Sequence, residues 1–328
     1  MRLVSIDDIA AAAARLNGRI VPTPLLPSSR LSQTLGVPVA VKAENLQHAG
    51  SFKVRGVFNA LLARQSRGEL PKGVATFSAG NHAAATAFGG SALGLPVVVC
   101  MPPNAVVTKV ESVRRYGGEI VFTDDLFGTC QEVARERGYA LLHPFDDPDI
   151  IAGQGTVGAE IIRDAPDADL VLVPVGGGGL ISGVAAAVKG LRPGARVIGV
   201  EPVTSNAMTY ALRMDAPAPL PSRPVSIADG LTAPFAGEHT LAHVRALVDE
   251  IIEIPEDAIL RAWWELLDAS KLLVEPSAAV GLAALRSGLV DPTAGATGTG
   301  TGTTVLVLSG GNVAPAGLAR LDKVAEAV

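Results

Sequence analysis

The feature that most constrains the fold of this chain is an alternation of short apolar runs with alanine-rich stretches. Runs of β-branched and aliphatic residues predict strands at residues 39–41, 74–77, 97–99, 120–122, 170–173, 197–200 and 305–308. Alanine-rich segments between them, such as residues 79–93 and 184–191, predict helices. Such alternation is typical of parallel sheets that are covered by helices on both faces. We therefore predict an α/β fold with two open, mainly parallel sheets.

The length and composition of the chain favour two domains. Its 328 residues are 48% apolar and 18% charged, which is enough to bury the cores of about two domains. We predict a small domain at residues 74–149 that closes over the active site, and a large domain formed by residues 1–73 together with 150–328. Because ligands of open α/β folds bind beyond the carboxyl ends of the strands, we expect the site in the cleft between the domains.

Charge and hydropathy exclude several kinds of partner. The formal net charge of −5 argues against a nucleic-acid binder, which would carry a basic stripe. The longest uncharged stretch, residues 170–188, contains a proline and four consecutive glycines, so it does not predict a membrane span. The N-terminus lacks the pattern of a signal peptide, and Ser5 and Asp8 instead have the spacing of a helix capping box. Cys100 and Cys130 fit neither a metal nor a redox spacing, so we expect a cytoplasmic protein.

Lys53 stands in a segment with little other charge, residues 43–56. A lysine in less polar surroundings, or beside another cation, has a lowered pKa, and its neutral amine can form a Schiff base with an aldehyde cofactor. Taken alone, the inference is weak, because most lysines of an amphipathic helix are ordinary solvated groups on its surface. The interpretation of Lys53 therefore depends on the other motifs of the chain.

A glycine-rich turn follows the strand predicted at residues 170–173. Residues 174–180 contain four consecutive glycines and lead into a helix of small residues. Such a backbone can approach a ligand closely, and the helix N-terminus adds positive potential, so phosphate is the expected ligand. Two alternatives are a plain strand-to-helix turn and a dinucleotide fingerprint with Glu201 as the ribose-binding acid. The fingerprint fits poorly, because Ile181 or Ser182 stands where its third glycine belongs.

Two further segments place polar groups at the carboxyl ends of predicted strands. Residues 77–83 combine the hydroxyl of Ser78, the amide of Asn81 and backbone N–H groups at a helix start, which suits an anion of carboxylate size. Residues 309–312 place the hydroxyl of Ser309 beside flexible backbone. Helix capping and a simple turn remain the alternative interpretations of these two segments.

Together, these four segments resemble the threonine dehydratase and serine racemase family, the fold-type II enzymes that use pyridoxal 5′-phosphate and share a tryptophan synthase β-like fold. The resemblance runs over nearly the whole chain, and the motifs occur in the family's order. It implies that Lys53 carries the cofactor as a Schiff base and that Phe52 lies beside the cofactor ring. It also implies a cradle for the cofactor phosphate, formed by Gly176, Gly177, Gly178 and Gly179 with the amide of Leu180.

The same resemblance assigns the polar side chains. Asn81 matches the family residue that hydrogen-bonds the 3′-oxygen of the cofactor, and Ser78, Asn81 and the backbone near His82 match the clamp for the substrate carboxylate. Ser309 matches the serine that faces the pyridine nitrogen. A serine can hydrogen-bond a neutral ring nitrogen, whereas an aspartate would hold it protonated. The ring is then a weaker electron sink, which favours prompt elimination over a long-lived carbanion.

The activity that the resemblance implies is β-elimination from a small hydroxy amino acid. The amine of Lys53, freed when the substrate takes its place on the cofactor, would remove the Cα proton. The β-hydroxyl would then leave with a proton from the cofactor phosphate. L-Threonine would give 2-oxobutanoate and ammonia, and L-serine would give pyruvate and ammonia. The family resemblance also suggests a homodimer.

Two departures from the racemase pattern favour a lyase that has no metal. Serine racemases of this family use a second serine as acid and base on the face opposite the lysine, where this chain has Ala79. Their metal site begins at a glutamate matched by Glu201 and ends six residues later at an aspartate, where this chain has Ala207. One carboxylate is a poor site for magnesium or calcium, so we predict no metal and a structural hydrogen-bonding role for Glu201.

Other features leave the substrate open. Ala84 and Ala85 stand where dehydratases have glutamine and glycine, on the helix that begins at the carboxylate clamp. The chain ends at Val328, soon after Ser309, which predicts the short catabolic type of threonine/serine dehydratase. The alternatives are a serine racemase, a dehydratase of another β-hydroxy amino acid such as 3-hydroxyaspartate, and a nucleotide-binding oxidoreductase. Glu275 lies in a segment that is near the cofactor ring in the family, and we expect it to support the fold.

Overall fold

The computed structural model describes residues 1–293 and 302–321 of the protein. Within these residues the strands, in chain order, are β1 (Leu25–Pro27), β2 (Val39–Ala43), β3 (Val74–Phe77), β4 (Val97–Met101), β5 (Glu119–Phe122), β6 (Ala140–Leu141), β7 (Ala168–Pro174), β8 (Arg196–Pro202), β9 (Glu250–Ile254) and β10 (Thr303–Leu308). All the strands predicted from the sequence are present. They form two sheets flanked by helices, which confirms the predicted α/β class with two open, mainly parallel sheets.

Most of the helices lie between successive strands. In chain order they are α1 (Ile6–Leu16), α2 (Ser29–Leu35), α3 (Lys53–Ser66), α4 (Asn81–Ala92), α5 (Val107–Arg115), α6 (Leu126–Arg137), α7 (Pro148–Asp164), α8 (Gly179–Leu191), α9 (Ala207–Met214), α10 (Glu238–Leu247), α11 (Glu256–Ser270), α12 (Val280–Arg286) and α13 (Pro315–Leu318). Short 3₁₀ helices occur at Glu44–Leu46, His48–Gly50, Asp229–Leu231, Pro276–Ala279 and Ala319–Leu321. None of the helices in the described part of the chain is long and apolar enough to cross a membrane.

The first helix begins as its sequence predicts. The hydroxyl of Ser5 accepts a hydrogen bond from the N–H of Asp8 at 3.2 Å, and the carboxylate of Asp8 accepts one from the N–H of Ser5 at 2.9 Å. This reciprocal pair satisfies two N–H groups that a helix start would otherwise leave without acceptors. The predicted capping box is confirmed.

The larger sheet holds six strands in the order β1-β2-β10-β7-β8-β9. Neighbouring strands are parallel except for β1 and β2. In the register of this sheet, Leu308 at the end of β10 pairs with Ala43 at the end of β2, and Leu306 pairs with Leu172 of β7. The carboxyl ends of these three strands therefore meet at one edge, and the segments that follow them come together there.

Both faces of the larger sheet are buried, so successive side chains of its central strands enter different cores. Leu172 and Leu306 pack in one core with Trp263 of α11. Val173 and Val307 pack in the core on the other face, together with residues of α8. Each such aliphatic side chain contributes about 1.5–3 kcal/mol when it is fully buried. Burial on both faces explains why these strands read as unbroken apolar runs in the sequence.

The smaller sheet holds four parallel strands in the order β5-β4-β3-β6. All four lie between Val74 and Leu141, inside the small domain predicted at residues 74–149. The boundaries of the two domains stay a prediction. At the carboxyl end of β3, the chain turns at Ser78 into α4, and this turn faces the edge of the larger sheet where β2, β7 and β10 end.

Candidate active site

A cavity of about 580 Å³ lies between the carboxyl edge of the larger sheet and the turn that follows β3. Three of the predicted motifs reach it because they follow β2, β7 and β10, whose ends share one edge. Every residue predicted for the site lines this cavity: Phe52, Lys53, Ser78, Asn81, His82, Gly176, Gly177, Gly178, Gly179, Leu180 and Ser309. The structure thus brings the predicted residues together, while the role of each one stays a proposal.

Lys53 is the first residue of α3, and its side chain is partly buried. Its Nζ donates a hydrogen bond to the carbonyl oxygen of Pro144 at 2.9 Å and lies 5.1 Å from the centroid of the Phe52 ring. Burial lowers the pKa of Lys53 from 10.5 to about 8, and the negative charge of Glu275 opposes this shift only in part. A large share of the amine is therefore neutral near pH 8, where it can act as a nucleophile or a base.

We expect the amine of Lys53 to titrate with a midpoint near pH 8 in the protein without ligands. Burial disfavours the ammonium form of Lys53. The rate at which acetic anhydride labels the Lys53 amine should therefore stop rising with pH once that midpoint is passed. Competitive labelling followed by peptide mass spectrometry measures the midpoint, with the exposed Lys72 as a reference in the same digest. A Lys53 midpoint at the usual 10.5 would contradict the effect of burial.

The glycine turn has a backbone that only glycine accommodates. Gly178 has a φ of +92°, and a Cβ placed on it would lie 2.5 Å from the Cε of Met208. A Cβ on Gly177 would lie 2.4 Å from the ring of Phe145. Among the described residues, none accepts a hydrogen bond from the N–H groups of Gly177, Gly178 or Gly179. Since α8 begins at Gly179, these buried N–H groups are suited to hold an anion.

Ser309 follows β10 directly and is only 3% exposed. Its carbonyl oxygen accepts a hydrogen bond from the N–H of Phe52 at 3.2 Å, which ties it to the segment that carries Lys53. Its hydroxyl has no hydrogen-bond partner within the described part of the chain. Because a buried hydroxyl without a partner is unfavourable, a ligand atom in the cavity is its expected partner.

The amide of Asn81 is held from two sides. Its Nδ2 donates to both carboxylate oxygens of Glu275, at 2.9 and 3.1 Å, and its Oδ1 accepts from the Nδ2 of Asn312 at 2.9 Å. These contacts determine which side of the amide carries the N–H groups. Burial raises the pKa of Glu275 to about 7, and the hydrogen bond from Asn81 offsets this in part. Glu275 therefore fixes the start of α4, and its carboxyl group also lines the cavity.

The turn between β3 and α4 presents polar and small groups to the cavity. The hydroxyl of Ser78 accepts a hydrogen bond from the N–H of Gly80 at 3.2 Å. His82 is buried, and burial together with the charge of Lys53 lowers its pKa well below 6.5, so its ring is neutral at physiological pH. Ala79 lines the same cavity and presents only a methyl group, which cannot carry a proton.

A segment that the sequence analysis did not identify, the 143–146 loop, contacts two predicted motifs. The carbonyl of Pro144 accepts the hydrogen bond from Lys53. The ring of Phe145 occupies the space that a Cβ on Gly177 would need. One short loop therefore positions both the lysine amine and the glycine turn. No motif indicated this role, because both contacts join residues far apart in the chain.

The same loop also supports the glycine turn through α10. The carboxylate of Asp146 accepts hydrogen bonds from the N–H groups of residues 238–240, at 2.9–3.2 Å, and so caps the start of α10. Thr240 on that helix donates its hydroxyl hydrogen to the carbonyl oxygen of Gly177 at 2.8 Å. Acidic residues ahead of Pro148 could have predicted a helix cap. They could not show that Asp146 caps a helix so distant in sequence.

Glu201 contacts the start of α9. Its carboxylate accepts hydrogen bonds from the N–H groups of Met208 and Thr209, at 3.2 and 2.8 Å. Burial raises its pKa to about 7. These are structural hydrogen bonds of the kind that the sequence predicts for Glu201. Within residues 1–293 and 302–321, no group of three or more His, Cys, Asp or Glu side chains could hold a metal ion.

Comparison with known proteins is consistent with this geometry. The sequence matches the family described as pyridoxal-phosphate dependent enzyme over residues 16–310. It is 42% identical over 309 residues to an L-threonine ammonia-lyase of Geobacter sulfurreducens, covering 93% of this chain and 75% of that protein. It is 36% identical over 320 residues to an L-threo-3-hydroxyaspartate ammonia-lyase of Saccharomyces cerevisiae, covering 95% and 94% respectively. The solved structure of maize serine racemase has a TM-score of 0.90 and 36% identity, covering 99% of each chain.

Proposed function

The chain belongs to the family of pyridoxal-phosphate-dependent enzymes, and we propose that it is an ammonia-lyase acting on a small hydroxy amino acid. It converts L-threonine to 2-oxobutanoate and ammonia, L-serine to pyruvate and ammonia, or both. One observation carries this proposal: the amine of Lys53, with a pKa lowered to about 8, lines the same cavity as the glycine turn and Ser309. The 42% identity to an L-threonine ammonia-lyase supports the choice of reaction.

The residues of the cavity fit pyridoxal phosphate. The N–H groups of Gly177, Gly178 and Gly179 have no acceptors among the described residues, and they suit the cofactor phosphate. The unpartnered hydroxyl of Ser309 suits the ring nitrogen. The amine of Lys53 suits the aldehyde. Phe52, which lines the cavity beside that amine, suits the face of the ring.

The chain supplies binding, orientation and the base. When bound, pyridoxal phosphate supplies an electron sink for the electron pair left at Cα. The neutral amine of Lys53 takes the Cα proton, and the carbonyl of Pro144 orients that amine. The turn at residues 78–82 binds the substrate carboxylate through backbone N–H groups and the hydroxyl of Ser78. Asn81, whose amide orientation is fixed by Glu275 and Asn312, would hold the 3′-oxygen of the cofactor.

Ala79 favours elimination over racemisation. Inversion at Cα requires an acid on the face opposite Lys53, and the methyl group of Ala79 stands where racemases of this family have a serine. The similarity to a 3-hydroxyaspartate ammonia-lyase makes that amino acid the second candidate substrate. The family match argues against the nucleotide-binding oxidoreductase that the glycine turn alone left open.

Replacing Ala79 by serine should introduce racemisation. The new hydroxyl would line the cavity where the methyl group now lies, and it could exchange a proton at Cα from the second face. We expect the rate of D-serine formation from L-serine to rise by about tenfold or more, since positioned acid–base groups contribute factors of at least this size. Chiral chromatography measures both enantiomers, and Ala79→Val is the matched control that adds bulk without a hydroxyl. If Ala79→Ser formed D-serine no faster than the wild type, Ala79 would no longer be a reason for preferring a lyase.

The proposed function is tested directly with a panel of amino acids. The holoenzyme is incubated with L-threonine, L-serine and L-threo-3-hydroxyaspartate, and both the 2-oxo acid and the D-enantiomer are measured. Release of 2-oxo acid from L-threonine or L-serine is the expected result. Abundant D-serine without pyruvate would instead identify a racemase. Turnover of 3-hydroxyaspartate alone would replace the proposed substrates by the second candidate.

We further propose that the enzyme is a cytoplasmic homodimer. The family resemblance supports the dimer. Cys100 and Cys130 are both free and buried, which suits a reducing compartment. Sedimentation equilibrium at micromolar protein concentration measures the assembly, and a mass equal to the 33.5 kDa chain would contradict the dimer.

A further inference from the structure

An ion pair spans the opening of the active-site cavity. The Nζ of Lys109 lies 2.5 Å from the Oδ2 of Asp229. Lys109 belongs to α5, beside the smaller sheet, whereas Asp229 begins a 3₁₀ helix on the other side of the cavity. Both side chains line the cavity, Lys109 being 19% exposed and Asp229 51% exposed. The pair therefore joins the two walls at the solvent-facing end.

The ammonium of Lys109 also lies next to the proposed carboxylate clamp. A Cβ placed on Gly80 would lie 3.7 Å from the Nζ of Lys109, and among the described residues other than 79–81 no further atom would come within 4 Å of it. Gly80 stands between Ser78 and Asn81, which are two residues of that clamp. The ammonium of Lys109 is therefore the side-chain group that lies next to the clamp backbone at Gly80. A carboxylate bound at the turn would lie beside the charge of Lys109.

We propose that Lys109 binds the α-carboxylate of the substrate, and that Asp229 competes with the substrate for the same ammonium. This inference rests on the proposed function, because it requires an amino acid in the cavity. In the free enzyme the ammonium is paired with Asp229. When the substrate carboxylate takes over the ammonium, the half-exposed Asp229 is solvated again at little cost. The contribution of Lys109 to substrate binding is then the free energy of the new contact minus the free energy of the ion pair that it replaces.

Competition predicts opposite changes in KM for the two partners. Lys109→Met removes the charge and keeps the aliphatic length, so it should raise KM about tenfold or more, and far more than it lowers kcat. Asp229→Asn removes the competitor, so it should lower KM by about two- to fivefold. If the pair served only to hold the two walls together, both substitutions would break the same contact and would change KM in the same direction.

A second ion pair offers a matched control. Lys189 lies 2.7 Å from Asp249, with exposures of 20% and 37%, and neither residue lines the cavity. We expect Lys189→Met to leave KM and kcat within about twofold of the wild type, as surface substitutions usually do. A tenfold increase in KM with Lys189→Met would show that loss of any such lysine has this effect, and it would overturn the proposal.

A failure of the proposal for Lys109 can be distinguished from a failure of the proposed function. If the wild type releases no 2-oxo acid from any hydroxy amino acid, that function is wrong, and the role of Lys109 is tested by binding of L-alanine in a calorimeter. L-Alanine has the same carboxylate but no leaving group, so it reports affinity without elimination. Lys109→Met should then weaken binding about tenfold and Asp229→Asn should strengthen it. An unchanged affinity for Lys109→Met, or a weaker one for both variants, would contradict the proposal.

Discussion

Replacing Lys53 by alanine is expected to lower kcat/KM by about 10⁴-fold or more. Two functions are lost together, since the amine both attaches the cofactor and takes the Cα proton. Its pKa, lowered to about 8 by burial, makes it suited to both at physiological pH. The other lysine in the described lining of the cavity, Lys109, does not replace it, because Lys109 is paired with Asp229 in the free enzyme and, by our proposal, with the substrate carboxylate when substrate is bound. Steady-state release of 2-oxo acid, measured with cofactor in excess, gives kcat/KM for the wild type and for the variant.

This loss should arise at the site and not from unfolding. Burial disfavours the charged form of Lys53, so alanine should leave the free energy of unfolding of the cofactor-free protein unchanged or slightly higher. Lys189→Ala, away from the cavity, is the control for removal of a lysine. If the Lys53→Ala variant kept more than about one hundredth of the wild-type kcat/KM, the role of Lys53 as attachment point and base would be wrong.

Replacing Arg55 by methionine should have the largest effect on stability, a loss of about 3–5 kcal/mol in the free energy of unfolding. Arg55 is fully buried, and its guanidinium donates to both carboxylate oxygens of Glu44 at 2.8 Å. It also donates to Glu160 at 2.7 and 2.8 Å. Methionine would fill similar space, but it would leave Glu160 with Lys42, 2.5 Å away, and Glu44 with the neutral hydroxyl of Thr23. An unpaired buried charge accounts for the expected loss.

The dependence of this loss on pH follows from Glu160. Burial opposes its charge, but the hydrogen bonds and charges of Arg55 and Lys42 hold its pKa below 4.5. A carboxyl whose folded pKa is lowered contributes stability above its unfolded value, and that contribution disappears as the pH falls through the folded value. The difference between wild type and Arg55→Met should therefore be largest near neutral pH and shrink in acid. Urea denaturation at several pH values measures it.

An exposed pair provides the comparison for Arg55. Arg137 donates to both carboxylate oxygens of Glu119, at 2.6 and 2.7 Å, but both side chains are largely exposed. Arg137→Met should therefore change stability by less than about 1 kcal/mol. Equal losses for the two variants would show that burial is not what makes the Arg55 network important. That network matters for the site as well, because Arg55 lies two residues after Lys53 on α3.

The strands that form the centre of each sheet could be predicted from the sequence, whereas three others could not. Buried parallel strands such as β7 are unbroken apolar runs, which is why their pattern is evident. In contrast, β1 has three residues and ends in a proline, and β6 has only two. The edge strand β9 reads Glu-Ile-Ile-Glu-Ile, and its two glutamates are more exposed than the buried Ile252 and Ile254. Such a mixed run is a weaker pattern than a continuous apolar run.

The residues of the site that belong to local sequence motifs could be predicted, whereas the contacts between distant segments could not. Lys53, the glycine turn and Ser309 each follow a strand, so the topology of parallel sheets is enough to bring them together. The contacts of Pro144 with Lys53 and of Lys109 with Asp229 join residues that are distant in the chain. A pattern of residue types contains no information about such pairs. They require the relative placement of the two sheets, which only the folded structure provides.

The assignment of Lys53 is tested most directly by reduction of the purified holoenzyme with borohydride, which makes the link between the cofactor aldehyde and an amine permanent. We expect the visible absorbance of the bound cofactor to disappear on reduction. We also expect peptide mapping by mass spectrometry to find the phosphopyridoxyl group on the peptide that contains Lys53. The group on a different lysine, or on none, would contradict the role proposed for Lys53.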